Sequence, residues 1–305
     1  MKQTIDILLA TYNGSAYLNS QLYSLLSQTL TDWRLIIHDD GSTDETVAII
    51  RKFVLMDDRI TFIEDNIQFG NAADNFTHLL KFSTSQLMIC CDQDDIWFEN
   101  KLQLLVAAFG PDANLPQGVF CNGFAYSTDT GIISDKITFV NPKDLNEQLF
   151  MNGGIQGCSL MVNRALLNKI IIKPSYVAMH DHLISMAVVC FGTMSYVDKN
   201  LMLYRQFHDN KVTANINYSL KSRIKSIFVS DVPVVDRKHY EANLAFFETY
   251  KTQLKLEQIA LFEGYFEYVK SGFFRRIQLV INNKFTLYNS IFALMMKTLM
   301  RKPIN

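Results

Sequence analysis

Three carboxylates, Asp92, Asp94 and Asp95, come directly after the apolar run Gln86-Leu87-Met88-Ile89-Cys90-Cys91. The run reads as a short buried strand, so concentrated negative charge has to be held at the edge of a core. Asp92 and Asp94 alternate across Gln93, which in an extended segment turns both side chains the same way. Carboxylates placed like this repel each other unless a cation lies between them. Hard oxygen ligands suit Mg²⁺ or Mn²⁺ rather than zinc. The plainer reading is a polar turn before a helix that starts near Glu99. What else the chain brings to this spot decides between the two.

The chain in order supplies it. Thr4 to Ala10 is a near-continuous apolar run, the pattern of a buried parallel strand. Thr11-Tyr12-Asn13-Gly14 is turn chemistry, and Ser15 is placed to cap a helix with Leu18, Leu22, Leu25 and Leu26 on one face. Trp33 to His38 is a second strand, ending in Asp39-Asp40-Gly41. Ser42 and Glu45 have capping-box spacing before a helix with Val47, Ile50 and Val54 inward. A strand from Arg59 to Ile63, a loop through Gly70, a helix over residues 75–82, the strand at 86–91 and a helix from Lys101 to Phe109 follow. Alternation of this kind predicts an α/β fold, a parallel sheet with helices on both faces. Ligands bind such sheets beyond the carboxyl ends of the strands. The clusters at 11–13, 39–40 and 92–94 all follow strands, so they should converge.

Later stretches are less regular. Gly118 to Ala125 and Cys158 to Val162 read as strands, with residues 128–150 irregular and a Gly-rich stretch over 151–157. His180-Asp181-His182 opens a helix of about three turns, and Ser195 to Tyr204 is a further strand ending in Arg205. His180, His182 and His208 make a poor zinc trio, because His-x-His puts its rings about 200° apart on a helix. Trp97 reads as packing on the helix after it.

Net charge is −1, so no global basic field argues for nucleic acid. Residues 221–305 nevertheless carry 14 Lys+Arg against 7 Asp+Glu, a net of +7. Five cysteines without disulfide spacing, no apolar signal region and no long apolar run predict a cytoplasmic protein.

The combination of Ala10-Thr11-Tyr12-Asn13-Gly14, His38-Asp39-Asp40-Gly41-Ser42-Thr43-Asp44, Asp92-Gln93-Asp94-Asp95-Ile96-Trp97 and His180-Asp181 resembles family 2 glycosyltransferases of the GT-A fold. The resemblance spans about residues 3–212. Asn75-Phe76 and Tyr204-Arg205-Gln206 bring it nearest to bacterial rhamnosyltransferases of surface polysaccharide assembly. It implies a GT-A (Rossmann-like), mostly parallel sheet flanked by helices. Residues 1–110 would form the nucleotide-sugar-binding half, 111–218 the acceptor-binding half and 219–305 a helical appendage.

The same resemblance implies roles. Asp40 would bond the pyrimidine N–H, with Thr11, Tyr12, Asn13 and Gln93 lining the donor pocket. Asp94 would ligate Mn²⁺ or Mg²⁺ on the diphosphate, with Asp92 beside it and nearer the ribose. Arg205 is read as meeting the diphosphate, and Asp181 as the general base of an inverting transfer. The family usually carries Glu-Asp where this chain has His180-Asp181, and His180 is left without a role. The expected reaction moves L-rhamnose from dTDP-L-rhamnose to a lipid-linked saccharide. A UDP-hexose transferase and a non-catalytic nucleotide-sugar-binding protein are the alternatives. The basic, aromatic C-terminal segment (Phe273-Phe274-Arg275-Arg276, then Ile291 to Met296) fits either a membrane-surface contact or packing on the domain or a second subunit.

Overall fold

The computed structural model describes residues 5–151, 155–207 and 233–304. Residues 152–154 of the Gly-rich stretch, and His208, lie outside the described residues. The chain divides into two compact units.

The first unit draws its described residues from 1–139, 155–171 and 192–216. It holds a nine-stranded sheet of β1 (Ile5–Thr11), β2 (Trp33–Asp39), β3 (Ile60–Ile63), β4 (Leu87–Cys91), β5 (Ile96–Trp97), β6 (Gln117–Ser127), β7 (Gly131–Ser134), β8 (Leu160–Asn163) and β9 (Thr193–Arg205). The order is β3-β2-β1-β4-β8-β6-β9-β5, with β7 paired to β6. The parallel run expected from the sequence spans β3-β2-β1-β4. From β8 onward the sheet is mixed: β8 is antiparallel to β4 and β6, while β9 is parallel to β6.

Every residue of β1 is buried, which its apolar composition permits only with cover on both faces. Among the described residues, α1 (Ser15–Leu26), α2 (Thr46–Met56), α3 (Ala72–Leu79) and α4 (Lys101–Ala107) pack on the sheet, and a single helical turn, Arg164–Leu167, follows β8. Leu18, Leu22 and Leu25 of α1 and Ile50 and Phe53 of α2 join the strand side chains in one core. Each such side chain contributes roughly 1.5–3 kcal/mol by leaving water.

Several local expectations need correction. Ser15 is the first helical residue, and Gly14 holds the cap position without a side-chain bond. Ser42 does not cap α2, which begins at Thr46 with Glu45 in the cap position; its hydroxyl is donated to Asp39 Oδ1 at 2.6 Å. Asp44 serves that helix start, accepting from Thr46 N at 3.0 Å. The stretch 128–150 contains β7, an edge strand whose Ile132 is exposed, and so lacked a buried-strand pattern. A single turn of helix, Leu145–Gln148, also forms there.

The second unit takes its described residues from 140–154, 172–191 and 217–305. It comprises α5 (His180–Phe191), α6 (Arg237–Tyr250), α7 (Leu256–Lys270), α8 (Phe273–Asn283) and α9 (Ile291–Met300). The aromatic content expected of this segment forms its core. Phe150 meets Tyr265, Tyr268 and Phe285 at 5.0–5.4 Å between centroids, and Phe246 lies against Tyr250 at 4.7 Å. Asp236 caps α6 and Ser290 caps α9 through side-chain acceptors. No helix among the described residues is long and apolar enough to cross a membrane.

Asp6 interrupts the apolar run of β1, and the structure shows what it does there. Its fully buried carboxylate accepts from Arg34 Nε at 2.9 Å, Thr84 N at 2.7 Å, Ser85 N at 2.8 Å and Ser85 Oγ at 2.6 Å. Burial alone would raise this carboxyl, but the bonds from Ser85, Arg34 and Thr84 outweigh it and hold it below its ordinary value. Asp6→Ala leaves buried N–H donors unpaired and is expected to cost on the order of 3 kcal/mol in urea unfolding. The ionised Asp6 stabilises the fold above the unfolded value of about 3.9, and this contribution is lost as pH falls through the lower folded value. Asp6→Asn should therefore flatten stability below about pH 4 relative to wild type.

Candidate active site at the carboxyl ends of the strands

β1 carries β2 on one side and β4 on the other, with Thr11 opposite Asp39 and Leu9 opposite Cys91. This register brings the loops after the three strands to one end of the sheet. Their backbones are then bonded together. Gln93 closes a two-bond clasp on Tyr12, accepting from its N–H at 2.9 Å and donating to its carbonyl at 3.0 Å. Asn13 stands at φ +46° and accepts from Thr43 N through Oδ1 at 2.8 Å, while its own N–H reaches Ser42 Oγ at 2.8 Å. A Cβ on Gly14 would fall 2.2 Å from Gln93 Oε1, so only glycine lets the clasp close.

The two aspartates after β2 divide their work. Asp39 is consumed locally, accepting from Thr11 Oγ1, Ser42 Oγ and the N–H groups of Gly41 and Ser42 at 2.6–3.1 Å. Asp40 is buried and accepts from Phe69 N–H through Oδ1 at 2.5 Å. Thr11 is also buried, with its hydroxyl committed to Asp39, whereas Tyr12 is 56% exposed.

Asp92 to Asp95 form a turn between β4 and β5, so turn geometry rather than strand alternation gathers the carboxylates. Ligand atoms of Asp92, Asp95 and Cys158 lie within 4.8 Å of one another. Asp95 is buried, and its Oδ2 has no hydrogen-bond partner among the described residues. Burial and the charge of Asp92 push the Asp94 carboxyl up to about 7. Burial raises Asp92 as well, and burial with both neighbouring charges raises Asp95 far more. The Cys158 thiol is pushed well above its usual range by burial and the same carboxylates, so it stays S–H and is no thiolate ligand. Crowded hard oxygens with an unpartnered lone pair fit a divalent cation such as Mn²⁺ or Mg²⁺.

Two cations already border the turn. β5 pairs antiparallel with β9, setting Ile96 opposite Leu203 and so carrying Arg205 behind the turn. Arg205 is buried, donates Nε–H to the Asp94 carbonyl at 2.8 Å and lies between the rings of Tyr17 and Tyr126 at 4.2 and 4.6 Å. Lys101 is fully buried on α4, with Nζ donating to the Cys158 carbonyl at 2.7 Å. Its Nζ also lies 3.7 Å from the Trp97 ring centre, so Trp97 does pack on the following helix.

Sequence reasoning counted Asp95 among the three carboxylates but gave it no role, and it did not single out Lys101, Tyr17 or Tyr126. For Lys101 a signal existed: it precedes Leu105 by four residues and so shares the inner face of its helix. The remaining site residue, Asp181, lies in the second unit in the first turn of α5, where Oδ1 accepts from His182 N at 2.6 Å. His180 and His182 are buried and pushed down to about 3 by desolvation, so both are neutral at pH 7.

The model of glycosyl transferase family 2 matches residues 6–171, and the chain belongs to that family. A dTDP-rhamnosyl transferase of Shigella flexneri is 30% identical over 229 residues, 70% of this chain and 76% of the relative. An Escherichia coli UDP-Glc:alpha-D-GlcNAc-diphosphoundecaprenol beta-1,3-glucosyltransferase is 28% identical over 54% of this chain and 62% of its own length. Among solved structures, S. aureus TarS 1–349 with UDP-GlcNAc superposes with a TM-score of 0.57 at 15% identity, covering 97% of this chain and 89% of that one. A Pyrobaculum calidifontis mannosyltransferase with GDP-Man and Mn²⁺ gives 0.53 at 14% identity, covering 97% and 84%. These likenesses place the fold among GT-A glycosyltransferases.

The raised Asp94 carboxyl has a consequence for stability. An unfolded aspartate ionises near 3.9, whereas the folded Asp94 keeps its proton up to about 7. Without divalent metal, stability should therefore fall as pH rises across that window. Asp94→Asn is expected to raise the metal-free Tm at pH 8 by a few degrees and to leave it nearly unchanged at pH 4, as read by calorimetry.

Proposed function

We propose that the protein is an inverting, metal-dependent glycosyltransferase. It transfers L-rhamnose from dTDP-L-rhamnose to a hydroxyl of a lipid-linked saccharide in bacterial surface polysaccharide synthesis. The observation that carries this reading is the crowding of Asp92, Asp94 and Asp95 at the strand ends, beside the 11–13 and 39–40 loops, in a family 2 chain. The rhamnosyl donor is supported by the Shigella relative's name.

In this reading residues 1–110 bind the donor, 111–218 the acceptor, and 219–305 form the appendage. Asp40 keeps one oxygen on Phe69 N–H and offers the other to the pyrimidine N3–H. Thr11, Tyr12, Asn13 and Gln93 shape the pocket, held by the Gln93 clasp. Asp94, with Asp92, holds Mn²⁺ or Mg²⁺, which when bound neutralises charge on the departing nucleoside diphosphate. Arg205 steadies the Asp94 backbone and directs its charge to the diphosphate. Asp181 takes the proton of the attacking hydroxyl, and in-line displacement inverts the anomeric carbon. Exposed Phe274 and Phe292, with the surrounding basic residues, provide a peripheral membrane or dimer contact for a cytoplasmic enzyme. A UDP-hexose donor is the second reading, favoured by the Escherichia coli relative that uses UDP-Glc.

A donor screen with Mn²⁺ or Mg²⁺ tests the assignment by thermal shift and nucleotide release. At about 100 times Kd, the true donor should stabilise the fold by roughly 2.7 kcal/mol. A shift with dTDP-L-rhamnose alone supports the first reading, and a shift with one UDP-sugar replaces the donor. No shift with any donor rejects the assignment. Asp181→Asn is expected to lower turnover by about 10²–10⁴ while keeping the donor shift. Unchanged turnover would remove Asp181 from the mechanism.

A further inference from the structure

A second cluster of ligand-type side chains gathers where β2 ends, apart from the carboxylate turn. His38 and His78 are buried, and each directs Nε2 at Asp65. His38 Nε2 is 3.1 Å from Asp65 Oδ1, and His78 Nε2 is 2.7 Å from Asp65 Oδ2. The three ligand atoms all lie within 4.8 Å of one another.

The proton positions make the cluster unusual. His38 Nδ1 is 2.7 Å from Asn75 Oδ1, and the Asn75 amide is turned that way by its Nδ2–H, 3.5 Å from the His38 carbonyl. With the amide in that orientation Asn75 Oδ1 is the acceptor and His38 Nδ1 the donor. A neutral ring then presents a lone pair at Nε2, facing a carboxylate oxygen 3.1 Å away. Two acceptors at that distance repel, and only a cation between them turns the contact attractive. That cation is either a proton, leaving a buried imidazolium, or a metal ion.

The surroundings are those of a metal site. Ligating histidines donate their second N–H to a carbonyl or carboxylate, and ligating carboxylates are themselves hydrogen-bonded. Asn75 supplies the first feature, and Ile67 N–H, 3.0 Å from Asp65 Oδ1, supplies the second. His38 stands on a strand and His78 on a helix, so both are rigidly placed. Asp65 retains 27% side-chain exposure, which gives an ion a route in from solvent.

We propose that His38, Asp65 and His78 bind one first-row divalent transition-metal ion, of which Zn²⁺ is the reference case. Two imidazoles and a carboxylate are a common zinc donor set, with water completing the shell. The nitrogen donors distinguish this site from the all-oxygen set at Asp92 and Asp94, which suits Mg²⁺ or Mn²⁺. The ion would pin the segment that carries Phe69, whose N–H holds Asp40 and whose ring lies 5.8 and 5.1 Å from the two imidazoles. That link to Asp40 rests on the proposed donor site, but the metal site itself does not.

The test is equilibrium dialysis of the purified protein against Zn²⁺ in excess Mg²⁺, with Co²⁺ as an optical probe of coordination. Wild type and Asp94→Asn are each expected to hold about one Zn²⁺ per chain, with a four-coordinate Co²⁺ spectrum. Asp65→Asn and His78→Gln are expected to lose both signals, and Asn75→Ala to weaken binding by about 10–100-fold. Asp65 is in an accessible loop, so Asp65→Asn decides the matter if His78→Gln fails to fold. Failure of wild type to retain Zn²⁺, retention by folded Asp65→Asn, or loss in Asp94→Asn would each overturn the proposal.

Discussion

The backbone pairing of β1 with β2 on one edge and β4 on the other is the constraint on which the rest depends. A strand buried along its whole length has to satisfy every N–H and carbonyl within the protein. Two parallel neighbours do this, and parallel pairing puts all three carboxyl ends on the same side. The loops that follow then meet with no further instruction. The Gln93–Tyr12 clasp and the Asn13–Thr43 bond fix a convergence that the ladder has already imposed.

The sheet treats its acidic residues in opposite ways at its two ends. Asp6 enters β1 and is surrounded by donors until its carboxyl falls below the ordinary value. Asp92, Asp94 and Asp95 leave β4 short of donors, and their carboxyls rise. The first arrangement contributes stability. The second forfeits some, because like charges are held together in a partly dry turn. Perturbed carboxyls of the second kind gather at functional sites. Lys101 and Arg205 keep the cost tolerable without cancelling the local negative charge, since Lys101 is committed to the Cys158 carbonyl and Arg205 to the Asp94 carbonyl.

Much of this was legible in the sequence. The strands at 5–11, 33–39 and 87–91 were visible because both of their faces are apolar, and the polar clusters after them because turn chemistry is local. The caps of α1 and α2 were misread: Gly14 and Glu45 hold those positions, and the Ser42 hydroxyl is spent on Asp39, three residues earlier, and on Asn13 N–H from the first loop, a contact that no spacing rule contains. β7 escaped because an exposed edge strand has no buried face to give it a period. The mixed pairing of β8, β6 and β9 was equally hidden, as strand direction depends on connections rather than composition.

The sequence by itself determined the α/β pattern, the family and the carboxylates available for chemistry, because periodicity and motif are properties of neighbouring residues. Only the tertiary structure decided which aspartate is spent on its own loop and which is bonded to another, Asp40 to Phe69 N–H. It alone brought Lys101 under the turn, Arg205 between two tyrosines, and His38 to Asp65 and His78. These are contacts between residues far apart in the chain, and they exist only once the sheet has set which strand ends lie side by side.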